Sequence, residues 1–291
     1  MITKNVIALS LFVLGILFSQ QTNGSKELNS KSSGLSKNGI FSNFHTLSIH
    51  IKDPAVHDSV FHFLKDKLQL PVYYNPVTLG MRKYAGIFAG NLVLEPCGPY
   101  TQFNYATDFR AIFFGLNFET EGSISSVAKM LDSFNSKYKM EDDEYIYPQD
   151  PDLVGENTFI GISNRHEKDR DHAKMDSLKL AMNSNYTDGL GIEYVNEIQV
   201  GYPGNKNLER WKELIHPSDL KKGQVWHVSN SLNIRFVPKK IKEVNGITFK
   251  VKSLEKAKKY LSKNNIAFIQ SRKNILLDKS ATFGLTIILD E

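Results

Sequence analysis

Five side chains of metal-binding type, His166, Glu167, Asp169, Asp171 and His172, crowd into one short polar stretch. Their spacing is not that of a helix-borne zinc site such as HExxH, where two histidines one turn apart share a helix face. The stretch reads instead as a hydrated insertion. His57 and His62 lie on an amphipathic segment whose neighbours and spacing indicate no catalysis. Cys97 is the only cysteine, with no histidine or basic residue adjoining it, so it reads as a small buried apolar residue rather than a reactive thiol. A single cysteine also excludes an intramolecular disulfide framework. No GxSxG elbow, Walker loop or dinucleotide fingerprint is present, so hydrolase, nucleotide and dinucleotide chemistries find no support.

The elements that would position any such group repeat along the chain. A strand of alternating apolar residues, a polar turn and an amphipathic helix recur four times. Leu47, Ile49 and Ile51 lead into Val60 and Leu64; Phe114, Leu116 and Phe118 lead into Val127 and Leu131. Ile198, Val200 and Tyr202 lead into Leu208, Trp211 and Leu214; Ile247, Phe249 and Val251 lead into Leu254, Ala257 and Leu261. In the first unit three further strands are expected near Leu70 to Tyr74, Tyr84 to Phe88 and Asn91 to Glu95, punctuated by Gly80, Gly86, Gly90 and Pro96. Ser123 and Ser253 are expected helix N-caps, and Asn205 or Asn207 opens the third helix. Asn164 to Met182 reads as a charged insertion.

Residues 1–24 have the pattern of a secretory signal peptide: Lys4, an apolar run from Val6 to Phe18, then small and polar residues. The run is shorter than the roughly 18 residues that span a bilayer, so no stable membrane insertion is expected after cleavage. Residues 25–43, rich in Ser, Lys, Gly and Asn, read as a flexible tether. About 265 residues remain, enough for two domains with full cores, divided as 44–188 and 189–291. The expected product is exported, periplasmic or secreted, with homodimerisation allowed. The net charge of +5 is spread along the chain, and Lys239 to Lys263 mixes acids into an amphipathic helix. That is a solvated face rather than a nucleic-acid surface.

The stretches FHTLSIHIKDPAVHDSVFHFLKDKLQLPV and AGIFAGNLVLEPCGPY resemble the opening module of the vicinal oxygen chelate superfamily, particularly its glyoxalase-like branch. NGITFKVKSLEKAKKYLSKNNIAF and GLGIEYVNEIQVGYPGNKNLERWKELI are similar to two further modules of that kind. The resemblance implies an α+β fold of tandem βαβββ modules paired into curved mixed sheets. Each pair would enclose a cup in which a divalent metal (Zn, Fe, Mn or Ni) and a few side chains grip neighbouring oxygens of a small molecule. Such a metal polarises those oxygens and stabilises an anion as it develops.

Position by position, the resemblance puts the first strand's metal-binding histidine at Thr46, where this chain departs from the pattern. Alternation places Thr46, Ser48 and His50 on the cup face, so His50 is the candidate second ligand or proton carrier. Glu95 matches the superfamily's glutamate ligand in type and place, sharing a strand face with Asn91 and Val93. The equivalent first-strand positions of the other modules fall at Phe113, Glu197 and Gly246. Glu197 and Trp226 are candidates to touch a ligand in the second cup. Glu95 and His50 thus stand as catalytic and metal-binding candidates, and Thr46, Asn91, Phe113, Glu197 and Trp226 as substrate-binding ones. Two functions compete: a metal-dependent lyase, isomerase or dioxygenase acting on a small oxygenated metabolite, and a noncatalytic small-molecule binder with a degenerate metal site. A structural role, with side chains filling the cups, is the third.

Overall fold

The computed structural model describes residues 40–41, 43–99, 110–120, 122–155, 157–164, 172–184, 189–215, 220–221, 224–228 and 231–291. The leader at 1–24, most of the tether and the cluster from His166 to Asp171 lie outside the described residues, as does the side chain of His172.

The first module is β1 (Asn43–Ile51), α1 (Pro54–His62) running into a π-helical turn at Phe63–Lys67, β2 (Val72–Leu79), β3 (Arg82–Phe88) and β4 (Val93–Gly98). The second is β5 (Ala111–Glu119), α2 (Ile124–Ser133), β6 (Tyr138–Glu141), β7 (Tyr145–Pro148) and β8 (Phe159–Ser163). The insertion carries α3 (His172–Ser184). The third module is β9 (Ile192–Tyr202), α4 (Asn205–Leu214), β10 (Leu220–Lys221), β11 (Val225–His227) and β12 (Asn233–Pro238). The fourth is β13 (Glu243–Val251), α5 (Leu254–Lys263), β14 (Phe268–Gln270), β15 (Asn274–Leu277) and β16 (Ile287–Asp290).

Every module repeats one topology. Its first strand pairs in parallel with its fourth, and the remaining two follow antiparallel, as in β1-β4-β3-β2 and β9-β12-β11-β10. A parallel pair needs a crossover, and the helix supplies it. First strands then pair antiparallel across modules, β1 with β5 and β9 with β13, and the contact of Val244 with Phe113 joins the two pairs into one curved 16-stranded sheet. The fold is therefore α+β with tandem βαβββ modules in two pairs.

Alternation explains which side each strand buries. Leu47, Ile49 and Ile51 face Val60 of α1 and Leu64 of the π-helical turn, and Ile247, Phe249 and Val251 face Ala257 and Leu261 of α5, all in the main core. Asp53 caps α1 by accepting from the Ala55 amide, with Pro54 in the first turn where its missing N–H costs nothing. Ser123 and Ser253 cap α2 and α5 as expected. The third helix differs: its N-cap is Gly204, which has no side chain to bond with, and the Asn207 amide donates to the Asp152 carbonyl at 3.0 Å. The strand expected at Leu70 to Tyr74 runs on as β2 through Pro76, which a strand bonded on one side only can accommodate. The insertion is not wholly hydrated, since Met182 of α3 is buried and Met175 and Leu178 pack on the core. Among the described residues no helix is long and apolar enough to cross a membrane.

Side chains tie the two halves together. Asn91 Nδ2 donates to the Val195 carbonyl at 2.8 Å and Asn91 Oδ1 accepts from the Val195 amide at 3.0 Å, mimicking one rung of a strand ladder. The Tyr260 hydroxyl donates to the Lys67 carbonyl at 3.0 Å, and Arg210 Nε donates to buried Asp150 at 2.6 Å. Asn91→Ala leaves both Val195 groups unpaired, and we expect a loss of roughly 2 kcal/mol, read as a lower urea midpoint with an unchanged denaturant slope.

Candidate functional site

The sheet's concave side forms two cups, one per module pair. In the first, strand register sets the neighbours: Ser48 of β1 lies opposite Glu95 of β4 on one side and Gly115 of β5 on the other, while Thr46 lies between Val93 and Asn117. Glu95 is 4% exposed. The Tyr74 hydroxyl donates to its Oε1 at 2.7 Å, and the Ser48 hydroxyl points at its Oε2 from 3.5 Å. Asn117 Nδ2 donates in turn to Ser48 Oγ at 3.2 Å and to the Thr46 carbonyl at 3.1 Å. A line of donors, Asn117 to Ser48 to Glu95 with Tyr74 from the far side, crosses the cup floor.

Two glycines permit that line. A Cβ on Gly115 would stand 2.9 Å from Ser48 Oγ, and one on Gly86 would lie 2.4 Å from the Tyr74 ring. Tyr74 therefore lies flat across β3 to reach Glu95, and its ring occupies part of the cup.

Burial decides the charge of the floor. It pushes the Glu95 carboxyl from its ordinary 4.5 up to about 7, although the hydrogen bonds from Tyr74 and Ser48 pull the other way. Burial first, then the charge of Glu95, holds the Tyr74 phenol well above its usual range. His50 lies 1% exposed on the same face, opposite Cys97, with its ring edge-on to Phe114 at 5.6 Å. Burial and then the charge of Arg82 bring His50 from 6.5 down to about 3, so it is a neutral imidazole. Phe114 stacks with Phe159 at 6.1 Å, and Phe159 meets Tyr147 at 5.4 Å, so aromatic rings line the second module's half of this cup.

The sequence-based candidates disperse. Glu95, His50 and Thr46 do share the first cup. The Thr46 hydroxyl is in contact with His45 Nδ1, because a register shift between Phe44 and Thr46 turns the His45 ring back toward it rather than away. Phe113, expected to line the cup, packs in the main core: a second shift, between Ser48 and Ile49, pairs Phe113 with Ile49 and leaves Phe114 on the cup face. Asn91 is spent on Val195. Trp226, also expected to line a cup, is 2% exposed in an aromatic core with Phe41 at 5.4 Å and Phe118 at 5.6 Å. Its strand neighbours Val225 and His227 take the concave side. Tyr74 and Asn117 were missed, because the reach of Tyr74 from β2 and the pairing of β5 with β1 are non-local.

The second cup has another character. Glu197 of β9 lies opposite Asn233 of β12 and Thr248 of β13, and Gln199 lies opposite Arg235 and Gly246. Arg235 Nε and Nη2 both donate to Glu197 Oε2, at 2.8 and 2.7 Å. Gln199 Nε2 donates to Glu197 Oε1 at 3.2 Å, and Asn245 Nδ2 donates to Gln199 Oε1 at 3.0 Å. The Arg235 side chain is 41% exposed and that of Glu197 14%. This cup is polar and open where the first is buried and aromatic.

Neither donor set fits a divalent ion. In the first cup Glu95 is only about half ionised at neutral pH, Thr46 replaces the expected imidazole and His50 stands beside Cys97, two residues beyond Glu95. In the second, the register that sets Glu95 two steps after the partner of Thr46 sets Arg235 two steps after the partner of Glu197. A guanidinium thus stands where a ligand carboxylate would. Among the described residues no three His, Cys, Asp or Glu side chains converge.

The two shifted groups of the first cup have opposite linkage to folding. Between pH 4.5 and 7 the unfolded chain has released a proton that folded Glu95 keeps, so stability falls as pH rises through that window. Between pH 6.5 and 3 the unfolded chain binds a proton that folded His50 refuses, so stability falls as pH falls. Relative to the unsubstituted protein, Glu95→Gln is expected to gain about 3 kcal/mol on going from about pH 4 to pH 8, and His50→Gln to gain on going from about pH 7 to pH 4. Urea midpoints across that range measure both.

No family model matches the chain, and no curated protein matches it. Solved structures do. The 2,3-dioxygenase LapB from Pseudomonas sp. KL28 superposes with a TM-score of 0.52 at 10% identity, covering 88% of this chain and 93% of that one. The Mn(II)-bound glyoxalase from Novosphingobium aromaticivorans gives 0.52 at 11% identity, covering 86% and 82%. The homoprotocatechuate 2,3-dioxygenase from Arthrobacter globiformis gives 0.54 at 9% identity, covering 87% and 80%. With the four βαβββ modules in the same arrangement, the chain has the fold of the vicinal oxygen chelate superfamily.

Proposed function

We propose that this is a small-molecule binding protein that kept the cups of its fold and lost the metal set. The observation that carries the reading is the fate of the carboxylates: Glu95 is held by Tyr74 and Ser48, and Glu197 by Arg235. Among the described residues, both of these acids already have a partner from their own chain. The leader expected at residues 1–24 favours export to the periplasm or the medium.

A second reading has its own support. The Mn(II)-bound glyoxalase and the dioxygenases among the similar folds favour metal-assisted lyase, isomerase or dioxygenase chemistry on a small oxygenated metabolite, with Glu95 and His50 as ligands. A divalent Zn, Fe, Mn or Ni ion would supply the polarising charge. It would have to displace the Tyr74 hydroxyl from Glu95 first, at a cost on the order of 1–3 kcal/mol.

Elemental analysis of the purified protein separates the two. The expected result is far less than one equivalent of Mn, Fe, Ni or Zn, with no rise in melting temperature on adding any of them. One equivalent of metal, lost in Glu95→Ala and in His50→Ala, would replace the first reading with the second.

A further inference from the structure

We propose that β2 is a flap over the first cup, which lifts from Tyr74 to Leu79 while its first residues stay docked, and that ionisation of Glu95 drives the lifting. The flap gates the cup whether an ion or an uncharged solute enters it, so it goes beyond either function weighed above.

Among the described residues β2 is hydrogen-bonded on one side only, to β3. Its register there breaks twice, between Val72 and Tyr74 and between Tyr74 and Val77, and Pro76 has no amide hydrogen to give. None of its eight residues is fully buried, whereas all six of β4 are. Tyr74, Val77 and Leu79 pack on Tyr84 and Cys97 in a small cluster separate from the main core, so lifting them leaves that core intact. A unit held by so few buried apolar contacts opens at a fraction of the cost of unfolding the whole chain. The docked end is as well defined. Val72 and Tyr73 pack on the main core, the Phe88 amide donates to the Pro71 carbonyl at 2.9 Å, and Lys174 of α3 lies 4.4 Å from the centre of the Tyr73 ring. At the other end Gly80 turns with a φ of +60° in open space.

The flap covers Glu95 and Cys97. Closed, the Tyr74 hydroxyl donates to Glu95 and the ring fills the notch left by Gly86. Lifted, the carboxyl meets water and returns from about 7 to its ordinary 4.5. A group that is the stronger acid in the lifted form favours that form as it ionises, so the bias grows from pH 4.5 to 7 and then levels off. The other titratable and charged groups on the elements packed here are His50 on β1, Arg82 and Tyr84 on β3, Cys97 on β4 and Lys174 on α3. His50, brought down to about 3, is neutral across that window, and Arg82 is charged throughout it. With the ring withdrawn, the line from Asn117 through Ser48 to Glu95 lies open to a solute.

Cys97, the only cysteine and fully buried, reports the motion. The test follows its modification by methyl methanethiosulfonate in protein kept metal-free with EDTA, each rate divided by that of a free cysteine peptide at the same pH. The normalised rate is expected to rise about 50-fold from about pH 5 to pH 8 and to change little in low urea, since the flap exposes little surface. Glu95→Gln is expected to give a flat profile. Gly86→Ala, whose Cβ would stand 2.4 Å from the Tyr74 ring, is expected to raise the rate about tenfold or more at every pH. A rate that follows the full urea dependence of global unfolding would overturn the flap, because Cys97 would then be reached only in the unfolded chain. A flat profile in the unsubstituted protein, or a rise that survives in Glu95→Gln, would overturn Glu95 as the trigger. An unchanged rate in Gly86→Ala would overturn Tyr74 as the closure.

Discussion

The antiparallel pairing of first strands, β1 with β5 and β9 with β13, is the constraint on which everything else depends. A lone βαβββ module has one apolar face under its helix and a bare first-strand edge. Pairing two modules edge to edge satisfies the backbone and curls the sheet, leaving the face opposite the helices concave. Because side chains alternate, that face receives one residue in two from each strand. Register then decides which of them meet: Ser48 with Glu95 and Gly115, Glu197 with Asn233 and Thr248.

The same geometry has been filled in two ways. The first cup is closed by its own side chains, with Tyr74 lying across Gly86 onto Glu95 and an aromatic row from Phe114 to Tyr147 beside His50. A carboxyl and an imidazole so buried both avoid charge, and they move in opposite directions to do so. The second cup keeps its charges, Arg235 on Glu197, and keeps them in reach of solvent. An ion pair at a half-exposed position contributes little to stability.

Much of the architecture was legible in the sequence. The change from a two-residue to a 3.6-residue apolar period marks each strand-to-helix junction, and Ser123 and Ser253 mark two helix starts correctly. What escaped was non-local. A one-residue bulge moved Phe113 into the core and put Phe114 in its place, which no count of alternation along β5 alone could reveal. Tyr74 reaches Glu95 from a strand two places away in the sheet, and Arg235 meets Glu197 only through the register of β12 on β9. Asn207 looked like a cap and is a brace to Asp152. Of the candidate residues, Glu95, His50 and Thr46 were brought together, Asn91 and Trp226 became parts of the scaffold, and Glu197 acquired a cationic partner.

The central claim is that the Glu95 carboxyl is buried and partnered within its own chain, so that it titrates near neutrality and does not take up a metal ion. Carbon-13 NMR of the Glu95 side-chain carboxyl, followed against pH with and without added Zn(II), tests it most directly. The account expects a titration midpoint near 7 that Zn(II) does not move, and that rises further in Tyr74→Phe, where a hydrogen bond that lowers it is lost. A midpoint in the ordinary carboxylate range, or one driven down when Zn(II) is added, would contradict it.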